Sequence, residues 1–231
     1  MTTKIIVPER YGEILANSKN YVGLMGLSVG KADFENPQTM TEYARFMQER
    51  FAYSLMVVAD VPKRHNIMAL EGVSEVKAEQ RARVAGDDMR NAIEKITRDY
   101  PNVKVARWRH FAEEKYSHNL EVLQEAYRSD GEFMDECNCV VWKFLSQSMG
   151  NPRTNPNISV ADRVANAKNY LLEELALLVA IPFAFQLPVC EIYPGRNEIH
   201  ERIQNREFEF CGDLNIRDDK VFMEAYYKDG D

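Results

Sequence analysis

The arrangement that most restricts the fold of this chain is a pair of short apolar runs separated by one helix-patterned stretch. Residues 21–27 (YVGLMGL) and 54–59 (SLMVVA) are short, almost wholly apolar and bounded by turn residues, so both read as buried strands. Between them, residues 37–51 carry Met40, Tyr43, Ala44, Met47 and Phe51 at helical spacing. Neighbouring parallel strands need a crossover of this kind, and such crossovers are almost always right-handed, which makes the unit Rossmann-like.

The alternation continues along the chain. Ser74 predicts the N-cap of a long helix ending near residues 99–101 (DYP), and residues 103–107 (VKVAR) predict the next strand. Residues 111–150 are helical with a break at 129–131 (SDG), and residues 151–157 (NPRTNPN) form a loop too short to separate domains. Helix resumes over 158–180 and residues 187–192 read as a strand, while the tail from Glu207 mixes signals that yield no assignment. With 231 residues and 45% hydrophobic content, the chain can bury one large core. The expectation is one α/β domain over residues 1–231, with a central, mostly parallel sheet flanked by helices.

Bulk chemistry removes several classes of function. No apolar stretch is long enough to cross a bilayer, and the opening MTTKIIVPERYGEI lacks the basic-then-apolar order of a signal peptide. The expected location is the cytoplasm, with no membrane partner. Cys137, Cys139, Cys190 and Cys211 are too few and too irregular for a disulfide framework, and the close pair is C-x-C rather than C-x-x-C. They read as reduced thiols, and neither metal nor cofactor is expected. The net charge of -7 argues against indiscriminate coating of nucleic acid but leaves room for a local basic face that docks one folded RNA.

Ser28 lies just past the first apolar run, within Gly26-Leu27-Ser28-Val29-Gly30. In open α/β sheets, ligands bind in the crevice beyond the carboxyl ends of the strands. The string fits the G-x-S-x-G nucleophile elbow of serine hydrolases, with His200 late enough to be the base, although only one strand precedes it. A phosphate loop fails on spacing, because Met25 and Ala32 stand where Gly and Ser or Thr are needed. The plain alternative is a tight turn in which Ser28 caps the next segment.

Residues 170–185 (YLLEELALLVAIPFAF) are apolar nearly all round, with Glu173 and Glu174 as the only charges, which marks a helix buried on most sides. Tyr170 and Glu174 are four apart and share a face. Desolvation raises the pKa of a buried glutamate and suits it to proton transfer. Snorkelling to the helix edge or pairing with a structural arginine is the ordinary alternative.

Taken together, these motifs resemble the cyclodipeptide synthase family. Residues 21–28 (YVGLMGLS) resemble the family's strand ending in Gly, aliphatic, Ser. Residues 170–174 (YLLEE) resemble its Tyr followed four positions later by a catalytic Glu, and residues 187–194 (LPVCEIYP) its strand delivering a further active-site Tyr. The resemblance spans roughly residues 20–200. It implies the fold of class I tyrosyl- and tryptophanyl-tRNA synthetase catalytic domains, without ATP, and no HIGH or KMSKS signature appears.

By that resemblance, Ser28 takes an aminoacyl group from a first aminoacyl-tRNA, and the aminoacyl-enzyme condenses with a second and cyclises to a diketopiperazine. Tyr170 and Glu174 hold the ammonium, Glu174 also moves protons, and Tyr193 positions Ser28 or stabilises the oxyanion. Lys31 and Pro194 stand where one branch of the family has Asn and His, so the chain resembles the Tyr-Pro branch. Ala176 replaces the usual Pro. A serine hydrolase and a non-catalytic tRNA-binding relative are the other readings.

The resemblance also implies two binding surfaces. On residues 74–99, Ala78, Ala82, Ala85, Met89, Ala92, Ile93 and Ile96 form an apolar stripe opposite Lys77, Arg81, Arg83, Arg90, Lys95 and Arg98. Family members grip tRNA with the corresponding helix, and Lys104, Arg107 and Arg109 extend its basic character, although Asp87, Asp88 and Glu94 interrupt it. Gly26, Leu24, Val57, Glu173 and Glu191 are the expected substrate-binding residues. Glu191 alternates onto the side of Tyr193 and is expected to make the first pocket polar, favouring a basic or imidazole side chain such as histidine. The partners expected are two aminoacyl-tRNAs, and the protein is expected to be a monomer.

Overall fold

Residues 21–59 form the expected strand, helix and strand, and the reasons are local. Asn36 caps the helix by accepting hydrogen bonds from the Gln38 and Thr39 N–H groups, and Pro37 occupies the first helical position, where its missing donor costs nothing. The computed structural model describes residues 5–111, 114–150, 154–194 and 197–228. In order these contain β1 (Ile5–Ile6), α1 (Gly12–Ala16), β2 (Val22–Ser28), α2 (Ala32–Glu35), α3 (Pro37–Arg50), β3 (Tyr53–Ala59), α4 (Lys63–Glu71) and α5 (Glu75–Thr97). There follow β4 (Val103–Arg107), α6 (Glu114–Ser129), α7 (Gly131–Ser148), α8 (Val160–Ala180), β5 (Val189–Tyr193), α9 (Glu198–Gln204), β6 (Lys220–Glu224) and β7 (Tyr226–Tyr227).

Five strands form one parallel sheet in the order β4-β3-β2-β5-β6. The chain winds outward from β2 through β3 to β4, then returns to the other side of β2 with β5 and β6. The strand order therefore reverses between β2 and β5, whose carboxyl ends carry Ser28 and Tyr193. On one face of the sheet, Met25, Leu27, Met56, Val58 and Ile192 pack against Met40, Tyr43 and Met47 of α3 and Ile93 of α5. On the other, Leu24, Leu55, Val57 and Val189 meet Leu177 of α8 and Ile181 just beyond it. A further apolar layer joins the outer side of α8 to α6, α7 and α9, which is why α8 is apolar around most of its circumference.

Several expectations need correction. The helix α4 escaped the pattern analysis although it ends on a left-handed Gly72 at φ +66°. The tail supplies the parallel edge strand β6, and β7 pairs antiparallel with β1. Ser74 occupies the N-cap of α5, but its side chain makes no capping hydrogen bond. Ala92 is exposed rather than part of the buried stripe. Residues 151–153 of the expected loop lie outside the described residues. Among the described residues, no helix is long and apolar enough to cross a membrane.

Candidate active site

The turn after β2 is built to present one side chain. The Lys31 N–H donates to the Ser28 carbonyl at 3.2 Å, and Gly30 takes φ +86°, the conformation a type II turn requires at its third residue. Any other residue there would be strained, and its Cβ would lie 2.8 Å from the Lys63 ammonium nitrogen. Ser28 thereby ends a buried strand with its hydroxyl directed at α8. The Ser28 hydroxyl donates to Glu174 Oε1 at 3.3 Å, and the Tyr170 hydroxyl, one turn earlier on α8, donates to the same oxygen at 3.1 Å. From the tip of β5, the Tyr193 phenol also interacts with the Ser28 hydroxyl. Ser28, Tyr170, Glu174 and Tyr193, far apart in the chain, converge.

Burial raises the Glu174 carboxyl above the ordinary range, against the opposing effects of hydrogen bonds from Tyr170 and Ser28 and of the Lys31 charge. Burial likewise raises both phenols, so Tyr170 and Tyr193 stay protonated donors at neutral pH. Lys31 lies 4.8 Å over the Tyr193 ring and 5.0 Å over that of Phe34. Its pKa is lowered by burial, which Asp33 and Glu174 partly offset. A cleft of about 560 Å³ opens on the cluster, bounded by Glu174, Tyr193, Leu171, Val140, Lys143 and Ile199.

Other residues expected at the site go elsewhere. Glu173 turns away from Ser28 toward α4, where Arg64 donates to it at 2.5 and 3.0 Å and His65 Nε2 lies 3.0 Å from Oε1. The ordinary reading of a buried carboxylate, pairing with arginine, describes Glu173. Leu24 and Val57 are packed into the core between sheet and α8 rather than lining the cleft. Gly26 faces α8 without lining the cleft, and a Cβ there would stand 3.6 Å from Leu178, an ordinary contact, so the packing does not demand glycine. Glu191 alternates onto the Ser28 side as expected, but it is 0% exposed, with Lys220 Nζ at 2.6 Å and His200 Nδ1 at 3.5 Å. The basic and imidazole groups anticipated from a substrate are supplied by the chain itself.

Both ring nitrogens of His200 face this group, with Nε2 2.9 Å from Lys220 Nζ. Lys220 also donates to the Leu178 carbonyl. A lysine donating to Nε2 leaves the imidazole proton on Nδ1, toward Glu191. Burial lowers the His200 pKa despite Glu191, and burial likewise lowers that of Lys220. For Glu191, burial is outweighed by His200 and Lys220, which hold it below the usual carboxylate range. His200 is therefore not the base of Ser28, whose hydrogen-bond partner is Glu174.

On α5, Lys77, Arg81, Arg83 and Lys95 are exposed, as is Arg98 at its C-cap, and Arg90 is half-buried. Arg81 pairs with Glu71, Arg83 with Glu79 and Arg90 with Glu94. Arg107 does not extend this face. It is fully buried, donating from Nε to Asp60 at 2.9 Å and pairing with Asp87, while Lys104 and Arg109 stay exposed. Arg64, His65 and Lys220 were missed from sequence. The detectable signal was the unmet need of Glu173 and Glu191, since charges so deep in a fold require partners.

The family model for cyclodipeptide synthase matches residues 13–215. No curated protein sequence matches. Among solved structures, one of a cyclodipeptide synthase from Fluoribacter dumoffii superposes with a TM-score of 0.83 at 17% identity, covering 98% of this chain and 99% of that one. A Mycobacterium tuberculosis protein, described as showing that cyclodipeptide synthetases are related to type I tRNA synthetases, gives 0.75 at 16% identity, covering 99% and 95%. The synthase from Candidatus Glomeribacter gigasporarum, solved with Phe-tRNAPhe, gives 0.64 at 16% identity, covering 96% and 94%.

Proposed function

The chain belongs to the cyclodipeptide synthase family, enzymes that transfer aminoacyl groups from aminoacyl-tRNA, and from that premise we propose that Ser28 is its nucleophile. The observation that carries this reading is the pair of hydrogen bonds that Glu174 Oε1 accepts from Ser28 and Tyr170.

The Ser28 oxygen attacks the ester carbonyl of the first aminoacyl-tRNA. Its proton passes to Glu174 Oε1, the ester C–O bond breaks, and the departing ribose oxygen takes that proton from Glu174, which returns to the carboxylate. The aminoacyl ester already carries the driving force, so a carboxylate held above its usual pKa is base enough. Oε1 serves the two hydroxyls, leaving Oε2 to bind the substrate ammonium beside the Tyr170 phenol. The Tyr193 hydroxyl, kept protonated by burial, donates to the developing oxyanion.

The amine of the Ser28-bound residue then attacks the ester of a second aminoacyl-tRNA, losing its proton to Glu174; the C–O bond to the second tRNA breaks and its ribose oxygen takes that proton. The free amine of the resulting dipeptidyl ester attacks the Ser28 ester, closing the diketopiperazine ring and restoring the hydroxyl. The exposed cations of α5 hold tRNA phosphates. Mass spectrometry of the protein mixed with charged tRNAs tests this: cyclic dipeptides from the wild type and none from Ser28→Ala support it, whereas equal yields from both defeat it.

A further inference from the structure

Lys31 ends the turn that carries Ser28, and its side chain reaches back over the site. Its N–H closes the turn on the Ser28 carbonyl at 3.2 Å, while its ammonium lies 4.8 Å from the centre of the Tyr193 ring and 5.0 Å from that of Phe34. One residue thus touches both sides of a single contact: the turn that presents the Ser28 hydroxyl and the phenol that meets it.

Two features separate this lysine from the surface cations. Lys31 is half-buried, and among the described residues no carboxylate pairs with its ammonium; Asp33 and Glu174 act on it through charge alone. A cation withdrawn from water needs compensation, and two aromatic faces supply it here. The two rings are not equivalent. Phe34 is 2% exposed and fixed in the core beside Met40, so it anchors the ammonium. Tyr193 is half-buried at the last residue of β5, so it is the ring that the ammonium restrains.

We propose that Lys31 is a positioning residue: seated on Phe34, its ammonium pins the Tyr193 ring so that the phenol stays on the Ser28 oxygen and in place for the oxyanion. This rests on the synthase reading of Ser28. It is distinct from the charge that Lys31 lends to Glu174. That charge sets how much of the carboxyl is ionised, whereas the ring contact sets where the phenol stands.

Single-turnover esterification of Ser28 by one species of charged tRNA, timed by acid quenching and mass spectrometry, tests the assignment. Rates are compared on the plateau above the acid limb of each variant's pH profile, where Glu174 is ionised in every protein. Lys31→Met puts an apolar chain of similar length between the rings. It should slow esterification about fivefold, the scale of one partly desolvated cation–π contact, with the half-saturating tRNA concentration unchanged. Lys31→Arg should restore most of the rate, because a guanidinium also stacks on aromatic faces. On a Tyr193→Phe background, which lacks the phenol, Lys31→Met should cost almost nothing further. An equal loss in both backgrounds overturns the proposal, as does a Lys31→Arg protein no faster than Lys31→Met. Wild-type protein that never esterifies Ser28 overturns the synthase reading and this one together, whereas wild-type esterification that Lys31→Met leaves unchanged overturns only the role of Lys31.

Discussion

Glu173 and Glu174 are consecutive on α8 and both largely hidden from water, yet their surroundings push their acidities in opposite directions. Burial raises each. At Glu173 it is outweighed by hydrogen bonds and charge from His65 and Arg64, whereas at Glu174 the opposing partners are chiefly two hydroxyls and the balance stays upward. One residue of helix rotation, about 100°, separates a group committed as an anion from one poised to exchange a proton. Buried carboxylates whose environments separate their pKa values are a mark of acid–base assignment. Glu191, with its own lysine and imidazole, belongs with Glu173 as a structural anion.

The largest effect should come from the poised carboxylate. Glu174→Gln is expected to lower the rate of cyclic dipeptide formation by about 10²- to 10⁴-fold, the usual range for a lost proton-transfer group. Glu191→Leu should act on stability rather than on product identity. It strands the buried Lys220 charge, and denaturant unfolding should show a loss of about 3–5 kcal/mol. A changed product spectrum with full stability would instead return Glu191 to the substrate pocket.

Glu173→Gln should cost less, about 2–3 kcal/mol, because the Arg64 side chain keeps 16% exposure and can recover some hydration. The pH dependence gives the sharper contrast. A depressed folded-state pKa stabilises above the unfolded value and is lost as pH falls through the folded one. The deficit of Glu173→Gln should therefore be full at pH 7 and shrink in acid. Glu174 has the opposite sign: its raised pKa withdraws stability as pH climbs through the interval above the unfolded value. Glu174→Gln should raise Tm at neutral pH and lose that gain in acid. Parallel Tm–pH curves for the two variants would erase the distinction. The smallest effect is that of Lys31→Met, which removes a cation favouring ionised Glu174 and should move the acid limb of the pH–rate profile upward.

Much of this was legible in the chain because β2, α3, β3 and β4 declare themselves by period and boundary residues, and parallel strands joined by a helix have few topologies. Ser28, Tyr170, Glu174 and Tyr193 followed from the resemblance of three motifs to those of the family; spacing by itself gave only the shared helix face of Tyr170 and Glu174 and the place of Ser28 at a strand end. What stayed hidden depends on contacts between distant segments. Nothing near residue 173 or 174 says which carboxylate meets Arg64, because that choice belongs to α4, a short helix with a weak pattern. Likewise the pairing of Glu191 with Lys220 requires β6 to lie beside β5, and the tail carried no strand signal strong enough to place it. Arg107 looked like surface charge for the same reason, since Asp60 and Asp87 reach it only after β3, β4 and α5 have packed.

The central claim is that Ser28 becomes esterified. Incubation with a single species of charged tRNA, rapid acid quenching and peptide mapping by mass spectrometry reads this directly. One aminoacyl increment on the peptide containing Ser28, absent from Ser28→Ala, is the predicted result. Diketopiperazine formation by the Ser28→Ala variant, or an increment on another residue, would contradict it.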